Sequence, residues 1–471
     1  MSRRQALIIS ALAVASCSPI KDRQNPNVIF ILADDLGYGD LSCLGQTHFH
    51  TPNIDRLASE GMLFTQHYSG ATVSAPSRSS LLTGLHGGHS PVRDNKEMKT
   101  EGQYPMSSEY WTLFDLFNQE DYVTGVCGKW GLGYPGSDGD PKAHGVDDFY
   151  GYNCQRYAHS YFPDYLWDND TKVILEGNRN GQENDYAPYL IHDQAVEFIR
   201  NHKDEPFFMM YTNVLPHAEF RLPENLMEPF IGKFGPETPF AGNGLPGGFR
   251  IGAYMPQDNP KAAFAAMVTL LDSQVGDIMK TLEEEGLADN TIVVFASDNG
   301  PHVESGARPG YFGSSGGFRG VKRDLYEGGI RVPFIVRWNG KVKPGSVSEH
   351  VSAFWDFMPT MADILGVSDE HHTDGLSFLP ELTGEGIQKR HDYLYWEYHR
   401  AGGRQAVRKD NWKAVAYRVA DGRNIQLYDL SSDPSESRNI ADQHPEIVAQ
   451  MDSIMNAAHV PSEIFPFPTD N

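Results

Sequence analysis

Cysteine is scarce in this chain, with four residues in 471. One of them, Cys17, falls in an N-terminal leader, and the remaining Cys43, Cys127 and Cys154 are an odd number that gives no disulfide framework and reads as buried thiols. Positive charge is also in deficit: 62 acidic against 39 basic residues leave a net charge of −23. That balance argues against a general nucleic-acid binder, and any anionic ligand must meet cations gathered locally. Internal repeats and long low-complexity linkers are missing. One serine, Ser74 in "SAPSRSSLLTG", has the look of a nucleophile but lacks a nearby histidine and a Gly-x-Ser-x-Gly elbow. An unassisted hydroxyl is a poor nucleophile near neutral pH.

What is present begins with "MSRRQALIISALAVASC", in which Arg3 and Arg4 precede an apolar stretch from Ala6 to Ala15 and then small residues. Residues 1–24 read as a signal peptide, and the apolar stretch is too short to span a membrane as a stable helix. "VASC" resembles a bacterial lipobox that would lipidate Cys17; the alternative is simple cleavage and release. Either outcome implies an exported protein, in the periplasm or as an outer-membrane lipoprotein.

From Asn27 onward, apolar runs alternate with helix-like stretches, which predicts an α/β fold: a large mixed, mostly parallel sheet sandwiched by helices. The clearest strands are "NVIFILA" (27–33), "YVTGVC" (122–127), "PFFMMYT" (206–212), "TIVVFAS" (291–297) and "VPFIVRW" (332–338). "TPNIDRLASEG" reads as a helix with Thr51 as N-cap, Pro52 at its first position and Gly61 as its stop, and the stretch from Lys261 to Gly286 as a long amphipathic helix. The texture changes after residue 375. The main domain is therefore placed at 25–375 and a smaller C-terminal α+β subdomain with an antiparallel sheet at 376–471.

Open α/β sheets bind ligands beyond the carboxyl ends of their strands. Asp34 and Asp35 follow the first strand, Lys129 the second, His217 lies a short loop beyond the third, and Asp298 and Asn299 follow the fourth. Each has an ordinary structural reading as a cap or turn residue; their joint placement points to one site. Three carboxylates and an amide oxygen form a hard donor set suited to Ca²⁺ or Mg²⁺, and the lack of a His/Cys cluster argues against a catalytic zinc. An anionic substrate would need Arg78, Lys129 and Lys322 around it. Pro76 is placed to open a helix that sets Ser74 at its N-terminus, where backbone N–H groups favour an anion.

"SAPSRSSLLTG" resembles the Cys/Ser-x-Pro-x-Arg signature of the type I, formylglycine-dependent sulfatases of the alkaline-phosphatase-like superfamily. "NVIFILADDLGYGDLSCLG", "GKWGLG", "PHAEF", "SDNGPH", "RGVKRDLYEGGIRVPFIVRWNG" and "LYDLSSDPSESRNIA" look like family segments in family order. The resemblance implies that Ser74 is oxidised to formylglycine, whose hydrate has one hydroxyl to attack sulfur and a second to expel sulfate. It further implies a Ca²⁺ ion on Asp34, Asp35, Asp298, Asn299 and modified Ser74, with Arg78 fixing the hydrate and Lys129 and Lys322 neutralising sulfate oxygens. His217 would contact the ester and protonate the leaving alcohol, with His302 a second candidate. The serine form of the signature resembles substrates of radical-type sulfatase-maturing enzymes, which work without oxygen.

Family members often have "GKWHLG", where this chain has Gly131, so the base for sulfate release must come from elsewhere; His144 and His159 are candidates. The exported setting resembles sulfatases acting on sulfated saccharides, with a lean toward galactose or N-acetylgalactosamine, 4-O-sulfated. Tyr157, His159, Trp167, Glu397, His399 and Arg404 are candidate sugar contacts, although aromatic residues in strands are commonly core. Two other readings stay open: a phosphatase or phosphodiesterase with unmodified Ser74, and a non-catalytic glycan-binding lipoprotein.

Overall fold

A computed structural model describes residues 25–98, 101–243, 254–368 and 371–470. The leader 1–24, with the lipidation expected at Cys17, lies outside them. The main sheet contains, in chain order, β1 (Asn27–Ala33), β2 (Met62–Phe64), β3 (Val123–Lys129), β4 (Asp148–Tyr152), β5 (Tyr165–Asp168), β6 (Thr171–Ile174), β7 (Phe207–Thr212), β8 (Thr291–Ser297), β9 (Phe334–Trp338) and β10 (Ser346–Ser348). Their order across the sheet is β10-β2-β9-β8-β1-β7-β3-β4-β5-β6.

The five strands β8, β1, β7, β3 and β4 run parallel, while β9, β5 and β6 pair antiparallel to their inner neighbours. Parallel neighbours require long crossovers, which helices supply. All seven residues of β1 are buried, as expected of a strand covered on both faces. Ile29 and Ile31 pack with Met209, Tyr211 and Phe295 under α3 (Ala187–Asn201) and α4 (Pro260–Glu284). Val28, Phe30 and Leu32 point the other way, into a layer with Leu81 and Leu82 of α2 (Ser74–Thr83) and Met358 and Met361 of α5 (Phe357–Leu365). Each such aliphatic side chain stabilises the fold by about 1.5–3 kcal/mol on burial. α4 is long and apolar enough to cross a membrane, but 78% of its apolar window is buried in this core.

Leu394–Tyr398 (β11), Arg404–Lys409 (β12), Trp412–Tyr417 (β13) and Asn424–Asp429 (β14) form a four-stranded antiparallel meander. α6 (Pro445–Ala458) covers one face through Met451 and Met455, while Trp396, Ala406 and Val415 on the other pack against Tyr68, Trp355 and Tyr326. The three cysteines of the body are free, with Cys127 and Cys154 buried and Cys43 partly so.

Candidate active site

The register aligns the strand ends: Ala33 lies opposite Ser297, Leu32 opposite Thr212, and Thr212 opposite Gly128. The residues that follow therefore emerge side by side. Consecutive side chains on an extended strand point to opposite faces, yet Asp34 and Asp35 both enter the same site. Asp35 achieves this in the left-handed region, with φ 63°, a conformation Asp tolerates better than most non-glycine residues. Its N–H donates to Asp298 Oδ1 at 3.1 Å.

Asp34, Asp35, Asp298 and Asn299 are fully buried. Asp34 Oδ2 accepts from Lys129 Nζ at 2.6 Å, Asp35 Oδ2 from Lys322 Nζ at 2.7 Å, and Asp298 Oδ2 from Arg78 at 2.9 Å. A second Arg78 nitrogen donates to Lys129 O at 2.9 Å. Burial pushes the Asp34 carboxyl up, but Lys129, with Arg78 and Lys322 behind it, holds it well below the usual carboxylate range. Asp298 goes the other way, to about 6, because burial and the neighbouring Asp34 charge outweigh Arg78. Three carboxylates face three basic groups, so the pocket carries no net charge by itself.

The donor chemistry suits a hard cation. Asn299 donates its amide hydrogens to Asp35 Oδ1 at 2.7 Å and Gly300 O at 2.9 Å, while its own Oδ1 is buried without a hydrogen-bond partner. An orphaned amide oxygen beside three carboxylates lacks only a positive charge to accept. Ligand atoms of Asp34, Asp35 and His217 also lie within 4.8 Å of one another, but His217 is otherwise engaged, as described below.

Ser74 opens α2, two residues earlier than the sequence suggests, and Pro76 sits inside the first turn. Its missing N–H costs nothing there, because first-turn donors have no intrahelical partner. Ser74 is fully buried and its Oγ donates to Asp34 Oδ1 at 3.1 Å, so the serine lies at a helix N-terminus within the acidic cluster.

His217 Nδ1 donates to Ala218 O, which leaves the Nε2 lone pair to accept from Lys322 Nζ at 3.2 Å. Burial pulls the His217 imidazolium down to about 4 despite the nearby Asp35, so the ring is neutral at pH 7. His159 stacks on it with ring centroids 4.9 Å apart, and His302 lies 5.7 Å away. Of the two candidate substitutes for the histidine absent at Gly131, His159 stands in the site. His144 packs near Trp130, with ring centroids 5.9 Å apart, and no bond or ring contact joins it to the cluster. Gly131 has φ 77°, and a Cβ there would come within 3.0 Å of Gln155 Oε1, itself buried and unpartnered. A side chain at that position would be strained by its backbone alone.

Other candidates are elsewhere. Arg404 reaches the carbonyl of Arg323 and pairs with Asp324 at 3.0 Å, next to Lys322. Tyr157 is buried in the core against Tyr165, with rings 4.6 Å apart. The Trp167 indole donates to Glu101 at 2.6 Å. Glu397 is buried and accepts from His399 at 2.8 Å, His459 at 2.7 Å and Tyr395 at 2.8 Å. The structure does not join Trp167, Glu397 or His399 to the acidic cluster. Two neighbours of the site carried no motif: Gln155, beside Gly131, and Tyr254, whose ring is 5.4 Å from His159; Arg323, paired with Glu304 at 2.5 Å, follows Lys322 in a family-like segment but was not among the candidates.

Comparison with known proteins gives the family. Residues 26–367 match the sulfatase family model, and residues 316–460 match that of the N-sulphoglucosamine sulphohydrolase C-terminal region. An N-acetylgalactosamine-6-O-sulfatase of Bacteroides thetaiotaomicron is 31% identical, with 93% of this chain and 94% of the relative covered. Among solved structures, Ps i-CgsB in complex with k-i-k-neocarrahexaose is 26% identical, with a TM-score of 0.77 and 95% and 94% coverage. A Bacteroides thetaiotaomicron protein of glycosaminoglycan metabolism labelled 6S-sulf is 27% identical, with a TM-score of 0.74 and 92% and 99% coverage. With a family match over most of its length and relatives aligned almost end to end, this chain belongs to the sulfatase family and is a sulfuric ester hydrolase acting on carbohydrates.

Proposed function

We propose that the protein, exported from its host cell, removes a sulfate ester from galactose or N-acetylgalactosamine, with Ser74 matured to formylglycine by a radical-type enzyme and Ca²⁺ held by Asp34, Asp35, Asp298 and Asn299. The observation that carries this reading is the charge balance of the pocket. Three carboxylates against Arg78, Lys129 and Lys322 leave it neutral, and a divalent cation at the orphaned Asn299 oxygen makes it a receptor for an anion. The matured residue supplies a hydroxyl for attack on sulfur and a second for sulfate release, and the cation supplies positive charge beside the sulfate oxygens.

The chain's own groups do the rest. Arg78, fixed by Lys129 O and Asp298, brings its guanidinium to 3.9 Å from Asp34 Oδ1, the atom that accepts from Ser74 Oγ, and so orients the nucleophile. Lys129 and Lys322 offer charge to the sulfate oxygens without reorganising. His217 Nε2 accepts from the Lys322 ammonium, which places the Nζ–H of Lys322 as the proton donor for the leaving alcohol and His217 as the group that positions it. Beside Lys322, Arg323–Glu304 and Arg404–Asp324 pair each cation with a carboxylate, and Arg400–Asp94 does the same next to Asn95, whose side chain accepts from Ala75 N. Such pairs offer donors and acceptors without net charge, which suits hydroxyl and acetamido groups.

The sugar preference rests on the relative's name, and the same name places sulfate at O6. The 4-O position expected from the sequence is left open by these relatives, and 6-O, the position in that name, is the form we propose. The test has two parts. The Ser74 peptide, taken from protein made in its own host, should weigh two hydrogens less than serine or appear as the hydrate. Sulfate release should then be measured on 6-O- and 4-O-sulfated N-acetylgalactosamine and on glucose-configured controls, with and without chelation of divalent cations. Release from the galacto-6-O compound, lost on chelation and restored by Ca²⁺, is the expected result. Unmodified serine with turnover of phosphate esters would overturn the reading.

A further inference from the structure

Outside the acidic pocket, the described residues bring together one other set of metal-ligating side chains. His86 and His89 lie in the turn that follows α2, and Asp374 lies on the segment leading toward the C-terminal meander. One ligand atom of each falls within 4.8 Å of the other two. α2 stops at Gly84, whose φ of 68° caps the helix, and His89 N and Ser90 N then both donate to His86 O, at 2.9 and 2.8 Å. That tight turn stacks the two imidazoles with centroids 4.2 Å apart.

Asp374 is pinned in place. Its N–H donates to Gly84 O at 2.9 Å and its Oδ2 accepts from His86 N at 2.9 Å. His89 Nδ1 stands 2.9 and 3.0 Å from the two carboxylate oxygens, and His86 Nε2 stands 3.8 Å from Oδ2. His372, on the surface, brings its Nε2 to 3.9 Å from Oδ1.

Two or three imidazoles and one carboxylate form a borderline donor set. It suits Zn²⁺ and its neighbours rather than the hard cation proposed at Asp34. Binding through His86 Nε2 moves the ring proton to Nδ1 and gives up the 3.1 Å bond from Gly88 N–H. That exchange leaves the Gly88 N–H without its acceptor, a loss set against the new metal–imidazole bond.

We propose that His86, His89 and Asp374, with His372 closing from the surface, form a structural site for a divalent transition metal of the Zn²⁺ class. Its place in the fold gives it a task. α2 carries Ser74 at its first residue, and the site fastens the turn after its last residue to the segment at 371–376. A bound metal stabilises the folded chain by linkage and takes no part in the chemistry.

The test uses the full chain without a histidine tag, with Ca²⁺ present to keep the acidic pocket filled. Zn²⁺ is added, bound metal is counted by elemental analysis after gel filtration, and the melting temperature is recorded; Co²⁺ serves as the spectroscopic probe. One zinc per chain, a higher melting temperature and the intense visible bands of tetrahedral cobalt are expected. His89→Gln and Asp374→Asn should each abolish stoichiometric binding, His372→Ala should weaken it, and Asp298→Asn should leave it intact. Failure to bind zinc at micromolar concentration overturns the proposal, as does binding that survives His89→Gln or disappears with Asp298→Asn. Should the two inner variants fail to fold, wild-type cobalt spectra decide: weak octahedral bands overturn the site, and tetrahedral bands weakened in His372→Ala support it.

Discussion

His217 turns its Nε2 lone pair to the Lys322 ammonium, so the proton needed by a departing alcohol sits on Lys322 Nζ and His217 positions it. Removing the imidazole leaves the ammonium in place and removes the partner that positions it. His217→Ala should therefore lower turnover of a sugar sulfate by about 10²–10⁴-fold. An aryl sulfate whose leaving group needs no proton should lose far less. Paired kcat measurements on the two substrates check this, and equal losses would show that His217 acts on the sulfate rather than on the leaving oxygen. Two residues further on, Glu219 is buried with Tyr161 N at 3.4 Å and Met255 N at 3.0 Å as its donors, and burial raises its carboxyl to about 7. Between its unfolded value of 4.5 and about 7, the folded chain holds a proton that the unfolded chain has released. Stability thus falls as pH rises through that window, by about 3 kcal/mol from this group. Glu219→Gln should remove that part of the slope. Urea unfolding at pH 5 and pH 8 should show the variant gaining on wild type at the higher pH. The acidic residues and Lys129 were legible because strand ends are informative positions. Gln155 and Tyr254 were not, because a lone amide or phenol in a loop has no pattern until the fold places it beside Gly131 or His159.

Helix ends show the same limit at the next scale. Thr51 precedes α1 (Pro52–Glu60) as the sequence expects, yet its hydroxyl does not cap the helix. The cap comes from α4: Asp272 Oδ1 accepts from Asn53 N at 3.0 Å and Ile54 N at 2.8 Å, and Oδ2 from the Asn53 side chain at 2.8 Å. A carboxylate at a helix N-terminus also meets the positive end of the helix dipole. Local sequence showed where α1 begins but not what satisfies its donors, since the partner lies 219 residues away. Asp272→Ala should destabilise the protein by about 2 kcal/mol, seen as a lower urea midpoint with an unchanged slope. Thr51→Ala should also register, through its bonds to Ser42 N at 2.9 Å and Asp55 at 3.2 Å, but without the loss of the cap. Comparable effects from Thr51→Ala and Asp272→Ala would mean that the tertiary cap adds nothing beyond the local turn.

Across the whole molecule, apolar runs exposed the central strands, while the three-residue strands β2 and β10 at one end of the sheet are too short to show a period of two. The order of strands was likewise invisible, because neighbours in the sheet are distant in the chain. What ties the C-terminal meander to the main sheet was also hidden. Lys413 of β13 is fully buried and meets Glu327 at 2.8 Å and Glu436 at 3.6 Å. Glu327 also accepts from Tyr68 at 2.6 Å, and its own N–H donates to Glu436 at 2.6 Å. Lys413, with Arg331 and Arg408, holds the buried Glu327 carboxyl down at about 2, whereas burial lifts Glu436 to about 7. The centre is therefore Glu327 paired with Lys413 and, at 3.3 Å, with Arg331, and beside it Glu436 titrates near neutrality. Breaking a buried pair from one side leaves a charge without its partner and costs about 3–5 kcal/mol, whereas removing both charges can be nearly neutral. Lys413→Met should lower stability by an amount in that range, and Lys413→Met with Glu327→Gln should recover most of it. A double-mutant cycle by urea unfolding measures the coupling. If the two losses simply add, the meander is held by Trp396, Trp355 and Tyr68 alone, and the ionic centre is a passenger in the interface.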